Sequence, residues 1–198
     1  MNKKNDWIRL GASARRGLVS AMLLCAAAAA HASEAAGPSQ GQRFGVQLAA
    51  GVAQHKVKEA DVGFVWDPGL NFWEIGGWHF SVTGEAHLSY WHTNEGAFHN
   101  DVYALGIQPM LRFIKDSGAI RPYIEAGAGI RALSHPTITD TYTLSTAFQF
   151  TEVVGVGAQF GTRQQYQAGC RFQHISNAGI KEPNPGINFT QLYVQYNF

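Results

Sequence analysis

The sequence predicts an all-β chain closed into an eight-stranded antiparallel transmembrane β-barrel. Three observations carry this. Eight segments alternate apolar and polar residues with a period of two, the better ones exceed the usual length of soluble strands, and the chain ends on Phe198, an aromatic in phase with the apolar face. Past the N-terminal leader no stretch holds the roughly 18 consecutive apolar residues of a membrane helix. A crossing must therefore use strands, whose apolar residues are diluted by alternation, and the mean hydropathy of −0.14 does not argue against that.

Residues 1–32 have the layout of a cleaved signal peptide. Lys3, Lys4, Arg9, Arg15 and Arg16 lead into an apolar run, Gly17 to Ala30, too short to span a membrane, and Ala30-His31-Ala32 fits the small-x-small cleavage rule. A lipoprotein reading through Cys25 is disfavoured because Leu24 stands where a small residue is needed. The mature chain, 33–198, is then the barrel. Five of the fifteen Lys+Arg and one of the fourteen Asp+Glu fall in the leader, which leaves ten against thirteen and a formal net of −3. No nucleic-acid footprint is present, and the single remaining cysteine, Cys170, excludes an internal disulfide.

The first strand runs from Arg43 to Val52, with Phe44, Val46, Leu48, Ala50 and Val52 opposite Arg43 and Gln47; a weaker one covers Val57 to Trp66. His79 to Trp91 is the clearest, setting Phe80, Val82, Ala86, Leu88 and Tyr90 against Ser81, Thr83, Glu85, His87 and Ser89. In Tyr103 to Phe113, Pro109 interrupts the alternation and should cost a ladder hydrogen bond. Arg121 to Arg131, Phe148 to Phe160, Tyr166 to Ser176 and Asn188 to Phe198 complete an even set. Backbone groups in lipid must all be paired, so the sheet has to close. A soluble lipocalin-like barrel would turn its apolar face inward. Against it stand the charged and amide residues gathered on one face, and aromatics near strand ends that suit interfacial girdles: Trp66, Trp78, Tyr90, Trp91, Tyr103, Phe160, Tyr166 and Tyr196. The terminal aromatic resembles the assembly signal of Gram-negative outer-membrane barrels. With both termini periplasmic, 67–76, 115–118 and 161–164 are the inner turns, the first of them long; 54–56, 92–100, 134–145 and 177–187 are the external loops.

The run RFQHISNAGIKEPNPGIN, residues 171–188, carries the chemistry. His174 and Ser176 share the outward parity of Phe172, and exposing an imidazole and a hydroxyl toward acyl chains is unfavourable without a use for them. Two positions apart they stand roughly 7 Å from each other along the strand, within rotamer reach. A histidine that takes the proton of a serine hydroxyl makes it a nucleophile toward an ester, and a third group must orient the imidazole. Asn188, of outward parity on the next strand, returns beside His174. H-x-S alone is weak, and both residues also read as polar groups at a headgroup interface. His87, His92, His99 and His135 match no compact ligand set, and no metal or cofactor is expected. Cys170 reads as a small apolar residue of the lipid face.

The whole run H-I-S-N-A-G-I-K-E-P-N-P-G-I-N resembles the motif H-x-S-N-A-G-x-K-x-P-N-x-G-I-E of the lipid A 3-O-deacylases, eight-stranded outer-membrane barrels that remove the ester-linked acyl chain at position 3 of lipid A. The resemblance implies Ser176 as nucleophile and His174 as base. The family's acid falls on Asn188, which can orient an imidazole but lends it no negative charge; Glu182 or Glu152 could substitute. Oxyanion donors would come from Asn177, Gly179 and Asn184. The substrate would be lipopolysaccharide, held by its acyl chains among outer-membrane lipids, its phosphates meeting Lys181 or Arg131; a homodimer is left open. Outer-membrane phospholipase A, with H-x-S-N and an asparagine third member, is the rival enzyme, but it is a twelve-stranded barrel. The rival from another class is a non-catalytic barrel that binds through its loops.

Overall fold

The computed structural model describes residues 43–198, so the expected signal peptide over 1–32 lies outside the described residues. The strands are β1 (Arg43–Ala53), β2 (Lys58–Asp67), β3 (Asn71–Ile75), β4 (Trp78–His92), β5 (Val102–Lys115), β6 (Ile120–Leu133), β7 (Thr137–Thr139), β8 (Tyr142–Thr143), β9 (Phe148–Phe160), β10 (Tyr166–Ser176) and β11 (Ile187–Asn197). Eight of them pair in the order β2-β1-β11-β10-β9-β6-β5-β4, and β4 returns to β2. Every pairing in this ring is antiparallel, and the seam joins the last strand to the first through Gly45↔Asn197 and its neighbours. Closure leaves no edge to lipid. Followed from strand to strand through hydrogen-bonded partners, the ring starts from Ser176 and returns to β10 at Tyr166, ten residues away. That stagger sets the strand tilt.

Three strands escape the period-two reading because they are too short to display it. β3 lies within the first inner connection and pairs with the start of β4, beyond the point where β2 ends. The ten-residue turn is therefore a hairpin, closed by Gly76 and Gly77 at positive φ and faced with aromatics: Phe72 stacks on Phe80 at 6.0 Å, and Phe80 packs tilted against Phe113 at 4.7 Å. β7 and β8 form a small hairpin in the loop between β6 and β9. Pro109 faces outward, and the β5–β6 pairing skips it between Ile107↔Ile130 and Met110↔Gly127.

Leu48, Leu105, Ile124, Val156, Leu192 and Val194 are exposed on the outer wall, as an apolar solvent requires. The interior is polar. Arg171 donates to Glu85 and Glu125 (Nη2 to Oε1, 2.9 Å; Nε to Oε1, 2.6 Å), and Arg112 donates to the same two carboxylates at 3.2 and 2.9 Å. His87 bridges Asp61 at 2.8 Å and Glu85 at 3.1 Å, and the Arg171 guanidinium lies 4.4 Å from the centre of the Tyr193 ring. This lattice fills the lumen. One aromatic was misassigned by sequence: Trp91 is not part of a girdle but points inward, buried, donating from Nε1 to Glu59 at 3.0 Å and packing on Phe189. Its parity is that of Glu85 and His87, and proximity to a strand end outweighed parity in the expectation. Arg131 is likewise inside, its Nη1 donating to Ser89 at 2.6 Å, and so cannot meet a substrate phosphate.

Above the ion lattice, at the rim that carries the long loops, an apolar cluster closes the barrel. Trp91, Val102, Leu133, Ile175, Ile187 and Phe189 come from strands, and Ile138, Tyr142 and Leu144 from the loop that contains β7 and β8. Removing one member of a buried ion pair strands its partner's charge, at about 3–5 kcal/mol. Arg171→Leu should lower stability by about that amount, measured by urea unfolding of the full barrel in lipid vesicles, and substitutions of outward Leu192 to Val should not.

Candidate active site

The alternation of β10 and β11 builds the site. Ile175, Ile187 and Phe189 turn inward and are fully buried, which anchors both strand ends in the apolar cluster and turns His174, Ser176 and Asn188 to the outer wall. The register pairs His174 with Asn188 directly. Their side chains meet: His174 Nδ1 lies 2.6 Å from Asn188 Oδ1. A carboxamide oxygen only accepts, so Nδ1 carries the proton and Nε2 keeps its lone pair. Gln54, from the β1–β2 turn, accepts the Asn188 backbone N–H at 2.9 Å and fixes that side of the pair.

Ser176 is 8% exposed and lies opposite Phe150 of β9. No hydrogen bond joins it to His174 among the described residues; the two side chains are neighbours on one face, with Nε2 the nitrogen left for the hydroxyl. Gly186, at φ 65°, forms the seat of the imidazole: a Cβ there would come within 2.7 Å of His174 Cε1 and 3.3 Å of Nε2. Its carbonyl accepts a hydrogen bond from the Tyr142 hydroxyl. Burial pushes the Tyr142 phenol up to about 12, so it remains a neutral donor at ordinary pH.

The loop between β10 and β11 is held by its own polar groups and by the β7–β8 loop. Asn177, fully buried, donates from Nδ2 to Leu144 O at 2.9 Å and to Lys181 O at 2.7 Å, while its N–H donates to Asn184 Oδ1 at 3.1 Å. Ala178 and Gly179 both have positive φ, and Ile180 N–H closes the turn onto Asn177 O at 3.0 Å. A non-glycine residue in that region is strained, and such positions concentrate at functional sites. Glu182 accepts the Asn184 N–H at 2.9 Å and is a loop brace on the surface. Ser145 ties down the far side by donating to Pro183 O at 2.7 Å. Glu152 lies across from His174 on β9, half-buried, with no hydrogen bond to it.

His174, Ser176 and Asn188 are therefore gathered on one patch, with Asn184 and Gly179 on the loop above. Asn177 braces the loop, its side-chain amide and its N–H both engaged there. Sequence reasoning missed Gln54, Tyr142 and the seat provided by Gly186. Only Gly186 left a trace, as one glycine of a Pro/Asn/Gly run; the other two reach the site from loops distant along the chain.

Fold and site define a class: a small transmembrane barrel with a serine, a histidine and an asparagine side by side on its lipid-facing wall, the equipment of a membrane-embedded ester hydrolase. The family model described as lipid A 3-O-deacylase (PagL) matches residues 58–197. The lipid A deacylase PagL of Bordetella bronchiseptica is 34% identical over 184 residues, covering 92% of this chain and 94% of that protein. That of Pseudomonas aeruginosa is 29% identical over 153 residues, 77% of this chain and 85% of that one. The crystal structure of the outer membrane enzyme PagL superposes with a TM-score of 0.68 at 28% identity, over 77% of this chain and 98% of that one. The chain belongs to the lipid A 3-O-deacylase (PagL) family, outer-membrane barrels that hydrolyse esters. That membership and the eight-strand closure set aside both the phospholipase and the non-catalytic barrel.

Gly186→Ala should push the imidazole off its seat while leaving the barrel folded. Displacing a reacting group by about 1 Å can cost about 10²-fold, and the measurement is the rate of ester hydrolysis beside the circular dichroism of the same protein.

Proposed function

We propose that the lipid A 3-O-deacylase activity of this family is carried here by Ser176 as nucleophile, His174 as general base and Asn188 as the residue that orients the imidazole. The observation that carries the reading is the His174 Nδ1 to Asn188 Oδ1 hydrogen bond beside Ser176. The Ser176 hydroxyl attacks the carbonyl of the acyl ester at position 3, and His174 Nε2 takes its proton. As the tetrahedral intermediate collapses, the sugar hydroxyl leaves with that proton. Water, deprotonated by His174 in turn, attacks the acyl-serine and releases the hydroxylated fatty acid, restoring Ser176.

The oxyanion is assigned to the Asn184 side-chain amide on the loop above the patch, while Asn177 holds the loop. Donors pre-set toward developing charge act strongly in a site that excludes water. The outward aspect of the patch at the long-loop rim supports entry from the outer leaflet, where lipopolysaccharide resides, without passage through the filled lumen. Lys181, exposed on the loop, is a cation available to a headgroup phosphate.

Mass spectrometry of lipid A from cells that express the protein tests this. One 3-hydroxyacyl mass should disappear with the intact serine and persist with Ser176→Ala; loss of the chain with the variant would remove the mechanism. A second outcome follows from the neutral third residue. Asn188→Glu supplies charge to the imidazolium and should raise the rate on extracted lipid A by about tenfold, whereas Asn188→Ala should lower it.

A further inference from the structure

The outer wall is not uniformly convex with side chains. Val46, Phe64, Ala86, Ile107 and Ile130 form one hydrogen-bonded row across five strands, and Val62, Leu88, Leu105, Ala132 and Phe148 form the next. Between the two rows runs an apolar groove of about 570 Å³. Ala86 and Ala132, small and exposed, keep it open, one in each row. From β9 to β1 it crosses five strand steps, and at about 4.8 Å each it is about 24 Å long.

Two features point to an occupant. The first row continues at its upper end through Phe150 to Ser176, so groove and candidate nucleophile lie on one oblique line down the barrel. The upper end of the groove, at Phe148 and Ala132, lies at the same long-loop rim as Ser176. Phe148 and Phe150 stand edge to face with ring centres 5.2 Å apart, and Phe150 comes between the groove and the serine. A chain in the groove is thus separate from the chain whose ester reaches Ser176. A glycolipid that carries several acyl chains on one headgroup can straddle that divider.

We infer that the groove between these two rows holds an acyl chain that lipid A retains, and that this chain positions the ester at Ser176. The inference rests on the deacylase reading and deepens it. Lipid tails are as apolar as leucine, so the groove gains nothing from transfer out of water; it acts by packing and by fixing where the headgroup sits. Its contribution is therefore to orientation at the reacting carbonyl, and it is absent for a short single-chain ester.

The test compares two substrates in the full barrel reconstituted in lipid: purified multi-acylated lipid A and a short p-nitrophenyl ester. Ala86→Trp fills the groove from a position exposed to lipid, Ala132→Phe fills it from the other row, and Ile124→Trp places a similar bulk on the wall away from it. Both filling variants should slow lipid A deacylation by about tenfold and leave p-nitrophenyl ester hydrolysis within about twofold of the parent, while Ile124→Trp changes neither. Parental rates on lipid A for both filling variants would overturn the inference. So would an equal loss on both substrates, which would locate the damage at Ser176. If the parent protein hydrolyses the short ester but leaves lipid A intact, the deacylase reading itself falls, and that result is distinct from a failure of the groove alone.

Discussion

A backbone N–H or C=O left unpaired in hydrocarbon costs several kcal/mol, and the rest of this structure follows from avoiding that cost. The ring of eight strands satisfies it by joining β11 to β1, so each spanning strand has a partner on both sides. Closure then fixes the two environments of every strand: alternate residues face lipid and a lumen too narrow for bulk water. At the two rims, where lipid meets an aqueous phase, a polar group can face outward without being buried in hydrocarbon, and the long-loop rim is one of them. His174, Ser176 and Asn188 stand at that level on two adjacent strands.

The lumen imposes its own condition. Glu85, Glu125, Arg112 and Arg171 are charges removed from water, tolerable only because each carboxylate is shared between two guanidiniums. The lattice leaves no route for substrate through the barrel. It also gives the wall a stiff backing, and the apolar cluster above it extends that backing to the strand ends behind the site. Ile175 and Ile187, buried between the candidate catalytic residues, make the spacing of His174 and Asn188 a property of the core rather than of a mobile loop. The loop between β10 and β11 is braced in turn by the β7–β8 loop, through Leu144, Ser145 and Tyr142.

Asparagine in place of an acid changes the electrostatics and keeps the geometry. A carboxamide oxygen accepts from Nδ1 as a carboxylate would and so selects the same tautomer. What it omits is attraction for the imidazolium that forms during attack. Glu152, the acid in register with His174, makes no hydrogen bond to it, and Glu182 is committed to Asn184. Of the two duties that one carboxylate combines in the family motif, the Asn188 hydrogen bond fits orientation, and no carboxylate among the described residues hydrogen-bonds His174 to add charge.

The strand set, its parity and the pairing of His174 with Asn188 were legible in the sequence because each follows from a period of two carried over ten or more residues. The barrel strands fall within a few residues of their expected bounds, and the run from His174 to Asn188 named its family. Elements too short to show a period, β3, β7 and β8, were not legible, nor was the inward placement of Trp91, where position near a strand end competed with parity. Only the tertiary structure decided that Asn177 braces the loop, that Gly186 seats the imidazole, and that Gln54 and Tyr142 reach the site from elsewhere. Those contacts join residues between 12 and 134 positions apart. Local alternation fixes which face a side chain takes, but which side chains share a face at one height depends on the stagger accumulated around the closed ring.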